Sequence, residues 1–187
     1  HLRLVDLMMP ASHDAGMCDG WTGADFLDFD IFGWHPLAFV RHWISTQEKY
    51  TYEQAMRGSR YFDVRPFKSA YRDGAWSATH RQNGNGADGE TLENIFLSVS
   101  AFLSRHKQEV VIIRLSHWDS DSDRQKVLDW IYGRYSWLLF KSKSDICLND
   151  IRLGDGIRGK CIIVCDDCEG IFDRTKGSWG YCENGRK

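Results

Sequence analysis

Residues 110–115 read Val-Val-Ile-Ile-Arg-Leu. So dense a β-branched run favours a strand, and its nearly continuous apolar character is that of a strand buried on both faces, as in parallel sheets. Lys160–Cys165 (KCIIVC) repeats the pattern. Upstream, Leu2–Met9, which ends at Pro10, Arg60–Arg65 (RYFDVR) and the weaker Trp76–His80 are three further strand candidates. Helical spacing separates them. Leu92, Ile95, Phe96, Val99, Phe102 and Leu103 form one apolar face, and Val127, Leu128, Ile131 and Tyr135 another. Thr51 and Gln54 have the spacing of a capping box, and Gly58 is a fitting stop for the helix that begins there. Strand–helix alternation predicts an α/β chain with a parallel sheet and helices outside it. A closed barrel and an open doubly wound sheet both fit. No Gly-x-Gly-x-x-Gly follows the first strand, so the main mark of a dinucleotide-binding fold is missing.

The rest of the chain bounds the reading. Its 187 residues are 42% hydrophobic and 27% charged, an ordinary globular balance that suits one domain spanning residues 1–187. Net charge is −2, which gives no general attraction to nucleic acid, and no apolar run approaches the ~20 residues that cross a bilayer. The chain opens on His1-Leu2-Arg3-Leu4, already strand-like, with no visible signal peptide. Residues 19–44 carry seven Trp or Phe side chains, among them Trp34. A loop so long and so aromatic either packs into the core or is functional, in which case Trp34 is expected to meet substrate or a zwitterionic lipid surface.

The polar residues fall in a pattern. His13 and Asp14 follow the first predicted strand, Asp63 and Arg65 end the second, His80 ends the third, His117 and Asp119 follow the fourth, and Asp166 and Asp167 follow the fifth. All lie at carboxyl ends of strands, the face on which parallel α/β folds build their sites. Two histidines can act as general base and general acid, an arginine fork suits phosphate oxygens, and an aspartate can orient a histidine. The set reads as phosphoryl transfer with no cofactor and no metal.

The stretch Met9-Pro10-Ala11-Ser12-His13-Asp14-Ala15-Gly16 resembles the PGTHDSG opening of the phosphatidylinositol-specific phospholipase C X domain. Thr46-Gln47, Gln54 through Gly58-Ser59-Arg60-Tyr61-Phe62-Asp63-Val64-Arg65-Pro66, the His80 region, Gly89-Glu90-Thr91-Leu92, Val111–His117 and Leu153 through Val164 follow in that family's order. The likeness is to the bacterial and fungal type. It implies a TIM-like (β/α) barrel lacking its C-terminal strands here, because the chain ends soon after the fifth predicted strand. It also implies cleavage of a glycerophospholipid head group, phosphatidylinositol first, through a cyclic inositol phosphate. By position, His13 is then the base, His80 the acid, Arg65 the phosphate clamp, Asp14 the aid to the leaving group and Asp63 the neighbour of Arg65. His117 is a candidate substrate contact. Arg65 puts a cation where the calcium of eukaryotic relatives sits, so metal independence is expected. The bacterial Lys after the fourth strand is replaced around Ser116-His117, and His80 is followed by Arg81 rather than Gly. The partner implied is phospholipid at a membrane surface, and the place implied is secreted or extracellular. A catalytically degenerate lipid- or phosphate-binding module with the same fold is the other reading.

Cys161, Cys165 and Cys168 have a spacing used for iron–sulfur clusters. Cys161 and Cys165, however, bracket an extended run and stand about 13 Å apart, so disulfides or free thiols are expected instead.

Overall fold

The computed structural model describes residues 2–18, 22–24, 45–82, 85–142, 146–154, 156–166 and 173–181. In chain order its strands are β1 (Ala11–Ser12), β2 (Thr22–Ala24), β3 (Tyr61–Val64), β4 (Pro66–Lys68), β5 (Trp76–Gln82), β6 (Asn85–Thr91), β7 (Val110–Leu115), β8 (Lys160–Asp166) and β9 (Ser178–Tyr181). The helices are α1 (Thr51–Met56), α2 (Leu92–Arg105) and α3 (Asp121–Tyr135).

Five strands form a parallel sheet in the order β1-β3-β7-β8-β9. Among the described residues the order never reverses, so they show no switch point of the doubly wound kind, and the described helices gather on one face. Phe62, Val64, Val111, Ile113, Leu115, Cys161, Ile163 and Cys165 point to that face and share a core with Ile95, Phe96, Val99, Val127, Leu128 and Ile131 of α2 and α3. The alternate residues Val110, Ile112, Ile162, Val164 and Trp179 form a second core on the other face. The run 110–115 is thus buried on both sides, as its composition predicts. The arrangement is that of a (β/α) barrel in which, among the described residues, β1 and β9 remain as edges.

Side-chain hydroxyls start both long helices. Thr91 Oγ1 accepts from Asn94 N at 3.2 Å, and Ser120 Oγ from Asp123 N at 3.1 Å. Each such cap is worth about 1 kcal/mol.

Three expectations are corrected. Leu2–Met9 is not a strand. It forms a 3₁₀ turn over Leu4–Asp6, closed by the Arg3 guanidinium on Asp6, and parallel pairing begins only at Ala11. The segment is tied to residues 151–153 by Leu4 N to Ile151 O at 2.8 Å and Leu153 N to Leu2 O at 3.1 Å. Leu4 is buried in the same cluster as Val110 and Ile112, so it plugs the apolar underside of the sheet while Leu2, Val5 and Met8 face outward. Trp76–His80 is not a parallel barrel strand. It belongs to β5, within an antiparallel sheet ordered β2-β6-β5-β4. Gln82 pairs with Asn85, leaving only Asn83-Gly84 between the strands, a dipeptide that signals a tight hairpin. Finally, β9 adds a parallel strand after the fifth predicted one. Most of residues 19–44, Trp34 included, lies outside the described residues; Thr22–Ala24 forms an edge of the antiparallel sheet.

Cys147, Cys161 and Cys165 are free thiols, and Cys18, Cys161 and Cys165 are buried. Burial pushes the Cys165 thiol up to about 12 and raises Cys161 as well. A thiol so far above neutral pH holds almost no thiolate. Alkylation of the native protein near pH 8, read by peptide mapping, is therefore expected to modify Cys147 and spare Cys161 and Cys165 until denaturant is added.

The plug is testable through stability. Leu4→Ala should cost about 2–5 kcal/mol, as for other buried leucines, whereas Met8→Ala, at a fully exposed side chain, should stay within ~0.5 kcal/mol. Denaturant midpoints separate the two, and equal, negligible losses would mean that Leu4 seals nothing.

Candidate active site

Parallel pairing builds the site. Ala11 lies beside Tyr61 and Ser12 beside Phe62, so the chain leaves β1 next to the carboxyl end of β3. Ala15 N donates to Asp63 O at 2.7 Å and fixes the turn that holds His13 and Asp14. Asp14 has φ +46°, left-handed backbone that aspartate tolerates better than most residues. The turn is gripped from outside by Gln47 Nε2 on His13 O at 2.6 Å, Thr46 Oγ1 on Asp14 O at 3.2 Å and Glu90 N on Gly16 O at 2.8 Å. It also lies close to β6: a Cβ on Gly89 would stand 2.1 Å from Gly16 O.

His13, Asp14, Asp63, Arg65 and His80 come together here. The Asp14 carboxylate is the hub, with a side chain only 1% exposed. Its Oδ1 lies 2.7 Å from Arg65 Nε, an ion pair off hydrogen-bond alignment. Its Oδ2 lies 3.3 Å from His13 Nε2 and 3.9 Å from His80 Nε2. Asp63 takes the other side of His13, with Oδ2 at 3.2 Å from Nδ1. Arg65 thus pairs with Asp14, and Asp63 faces His13. The His13 side chain is 69% exposed, so a ligand can reach a ring whose backbone is firmly held.

His80 arrives from the antiparallel sheet, where it pairs with Ala87. Its neighbour Arg81 pairs with buried Asp88 at 2.8 Å and lies over the Phe67 ring. Arg81 is thereby committed to the sheet, and its place after His80 leaves the histidine at the site.

His117 is joined at one remove. Ser116 Oγ donates to Asp63 Oδ1 at 3.0 Å, so His117 Nδ1, 3.0 Å from Ser116 Oγ, must donate to that oxygen. His117 is exposed at the rim with φ +57°. Asp166 is taken by Arg114, whose Nε and Nη2 meet its two carboxylate oxygens at 2.8 and 2.7 Å. These bonds raise the guanidinium further above its already high range. The sequence reading missed Arg114 and Ser116. Both share the parity of Ile112 in a strand of known alternation, and a charge inside an apolar run was the available signal. Gln47 and Thr46, which hold the turn by backbone carbonyls, carried no such signal.

Among the described residues, one group could hold a metal ion: His13, Asp14 and Asp63, with donor atoms within 4.8 Å of one another. Arg65 already places a fixed positive charge on that group.

No family model matches the sequence, and no curated protein does. Solved structures do. A phosphatidylinositol-specific phospholipase C from Listeria monocytogenes is 19% identical, with a TM-score of 0.60 over 87% of this chain and 52% of its own. A Staphylococcus aureus phosphatidylinositol-specific phospholipase C, studied for membrane binding, is 20% identical, with a TM-score of 0.59 over 87% of this chain and 48% of its own. A mutant of the S. aureus protein is 23% identical, with a TM-score of 0.58 and the same coverage. The chain spans about half the length of these structures. It has, over that span, the fold of the bacterial phosphatidylinositol-specific phospholipases C.

Proposed function

We propose that the chain is a phospholipase C-type phosphodiesterase that cleaves a glycerophospholipid head group, with phosphatidylinositol as the substrate. The observation that carries this reading is the convergence of two histidine Nε2 atoms on one carboxylate oxygen of Asp14, with Arg65 on the other oxygen. That is a base, an acid and a cation set around one point at the carboxyl edge of a parallel sheet.

The inositol 2-hydroxyl oxygen attacks phosphorus while His13 Nε2 takes its proton. Asp63, on Nδ1, fixes the tautomer that leaves Nε2 free to do so and then balances the imidazolium. Arg65 faces the phosphate oxygens as charge builds on them. The bond from phosphorus to the glycerol oxygen breaks, and His80 gives that oxygen a proton, with Asp14 assisting. Diacylglycerol and a cyclic inositol phosphate leave. His117, at the rim, contacts the head group. The substrate is met at a membrane surface in a secreted or extracellular setting; among the described residues no helix is long and apolar enough to cross a membrane.

Phosphorus NMR of phosphatidylinositol vesicles with the protein and a chelator tests this. A cyclic phosphodiester signal is expected, and chelator should not reduce it. Binding without turnover would support the lipid- or phosphate-binding module instead. His13→Ala should lower turnover by about 10²–10⁴-fold, the usual worth of a general base, with the far-ultraviolet circular dichroism unchanged. Arg65→Lys should lower it by roughly 10²-fold, since an ammonium replaces the planar fork. Parent rates in both variants would refute the assignments.

A further inference from the structure

Glu90, next to last in β6, is only 5% exposed, and the proposed reaction has no use for it. A buried carboxylate is costly unless hydrogen bonds meet it. Here Oε2 accepts two, from Thr51 N at 3.0 Å and Thr51 Oγ1 at 2.8 Å, in the first turn of α1. The expected capping box is absent: Tyr50 is the residue before the helix and makes no side-chain cap, and Gln54 faces elsewhere. A side chain from a different sheet does the capping.

The main chain of the same residue donates to Gly16 O, in the turn that carries His13. Helix α1 reaches that turn by its own route. Gln54 Oε1 accepts from Ser12 Oγ, and Gln54 Nε2 donates to Lys49 O. The hydrogen bonds therefore close a loop: Glu90 carboxylate, Thr51, α1, Gln54, Ser12, the His13 turn, Gly16 and the Glu90 amide. His13 needs such support, because its ring is mostly exposed and its two contacts are longer than 3 Å.

We propose that Glu90 is a positioning residue for the base, holding His13 in place through α1 and the Gly16 turn. The kinetic part rests on the phosphodiesterase reading; the placement of the ring does not. A capping role alone would lower stability and leave the ring undisturbed.

The experiment compares Glu90→Ala, Glu90→Gln and Thr51→Val with the parent. Gln keeps an oxygen that can accept both Thr51 bonds. The first readout is the His13 ring signal in histidine-labelled protein, assigned by its loss in His13→Ala. In Glu90→Ala it should shift or broaden while the His106 signal stays, and in Glu90→Gln it should match the parent. The second readout is turnover. Glu90→Ala should lose roughly ten- to a hundredfold in kcat with KM within about twofold, and Glu90→Gln should recover most of it. A folded Glu90→Ala protein with the parent's His13 signal overturns the proposal, as does a Gln variant no better than Ala. If Glu90→Ala does not fold, Thr51→Val decides: it keeps the backbone donor, loses the hydroxyl, and should still disturb the His13 signal, and an undisturbed signal overturns the proposal. If the parent shows no turnover, the ring signal alone decides, so failure of the reaction and failure of the positioning stay separate.

Discussion

A carboxylate sealed from water needs a counter-charge, and Asp14 has Arg65 at 2.7 Å. Removing one partner of a buried pair typically costs about 3–5 kcal/mol, because the other is left charged and dry. The geometry around the pair follows from that constraint. Asp14 must stay inward, which holds its backbone in the left-handed region and turns His13 out toward solvent. Arg65 must reach it from the end of β3, which requires β1 and β3 to run side by side in their observed register. Both histidines then collect on the free side of the carboxylate.

The sheet beneath is layered to match. On the face away from the helices, Tyr61, Ile112 and Ile162 lie in register across three strands, and one step toward the carboxyl edge come Asp63, Arg114 and Val164. Below, apolar residues and Leu4 exclude water. Above, Asp63 is met by His13 and Ser116, and Arg114 by Asp166. The charges of the site lie at the carboxyl rim of the sheet, and the apolar layer under them keeps the dielectric low where these ion pairs meet.

Much of this was legible in the sequence where a residue's neighbours are dictated by its own strand. The runs 110–115 and 160–165 announced parallel strands, and the polar residues following the strands announced the edge that carries the site. Contacts between elements were harder. Asp63 in β3 and Arg65 just past its end have the same parity, which suggests that they pair, but residues two apart in extended chain stand about 6–7 Å from each other, while the neighbouring strand is about 4.8 Å away. Asp14 wins Arg65 on distance. Leu2–Met9 reads as a strand by hydrophobicity, yet its Leu4 is needed as a plug, and one buried side chain in a turn leaves no period to read. The hairpin of β5 and β6 was written in Asn83-Gly84, though a reading tuned to strand–helix alternation passes over it. Glu90 stood out only as part of the Gly89–Leu92 match, with no role attached, because a cap supplied from another sheet has no local signature.

The contact between Gly16 and Gly89 has a historical consequence. A methyl group on Gly89 would strike the carbonyl of Gly16 at 2.1 Å, and one on Gly16, which has φ +94°, would strike Ala78 Cβ at 2.7 Å. Neither position can acquire a side chain while the Gly16 turn and the antiparallel sheet keep their spacing. Drift at either site is closed to single steps, so these two glycines are expected to be among the slowest-changing letters of any lineage that inherits this arrangement, slower than the charged residues they bring together.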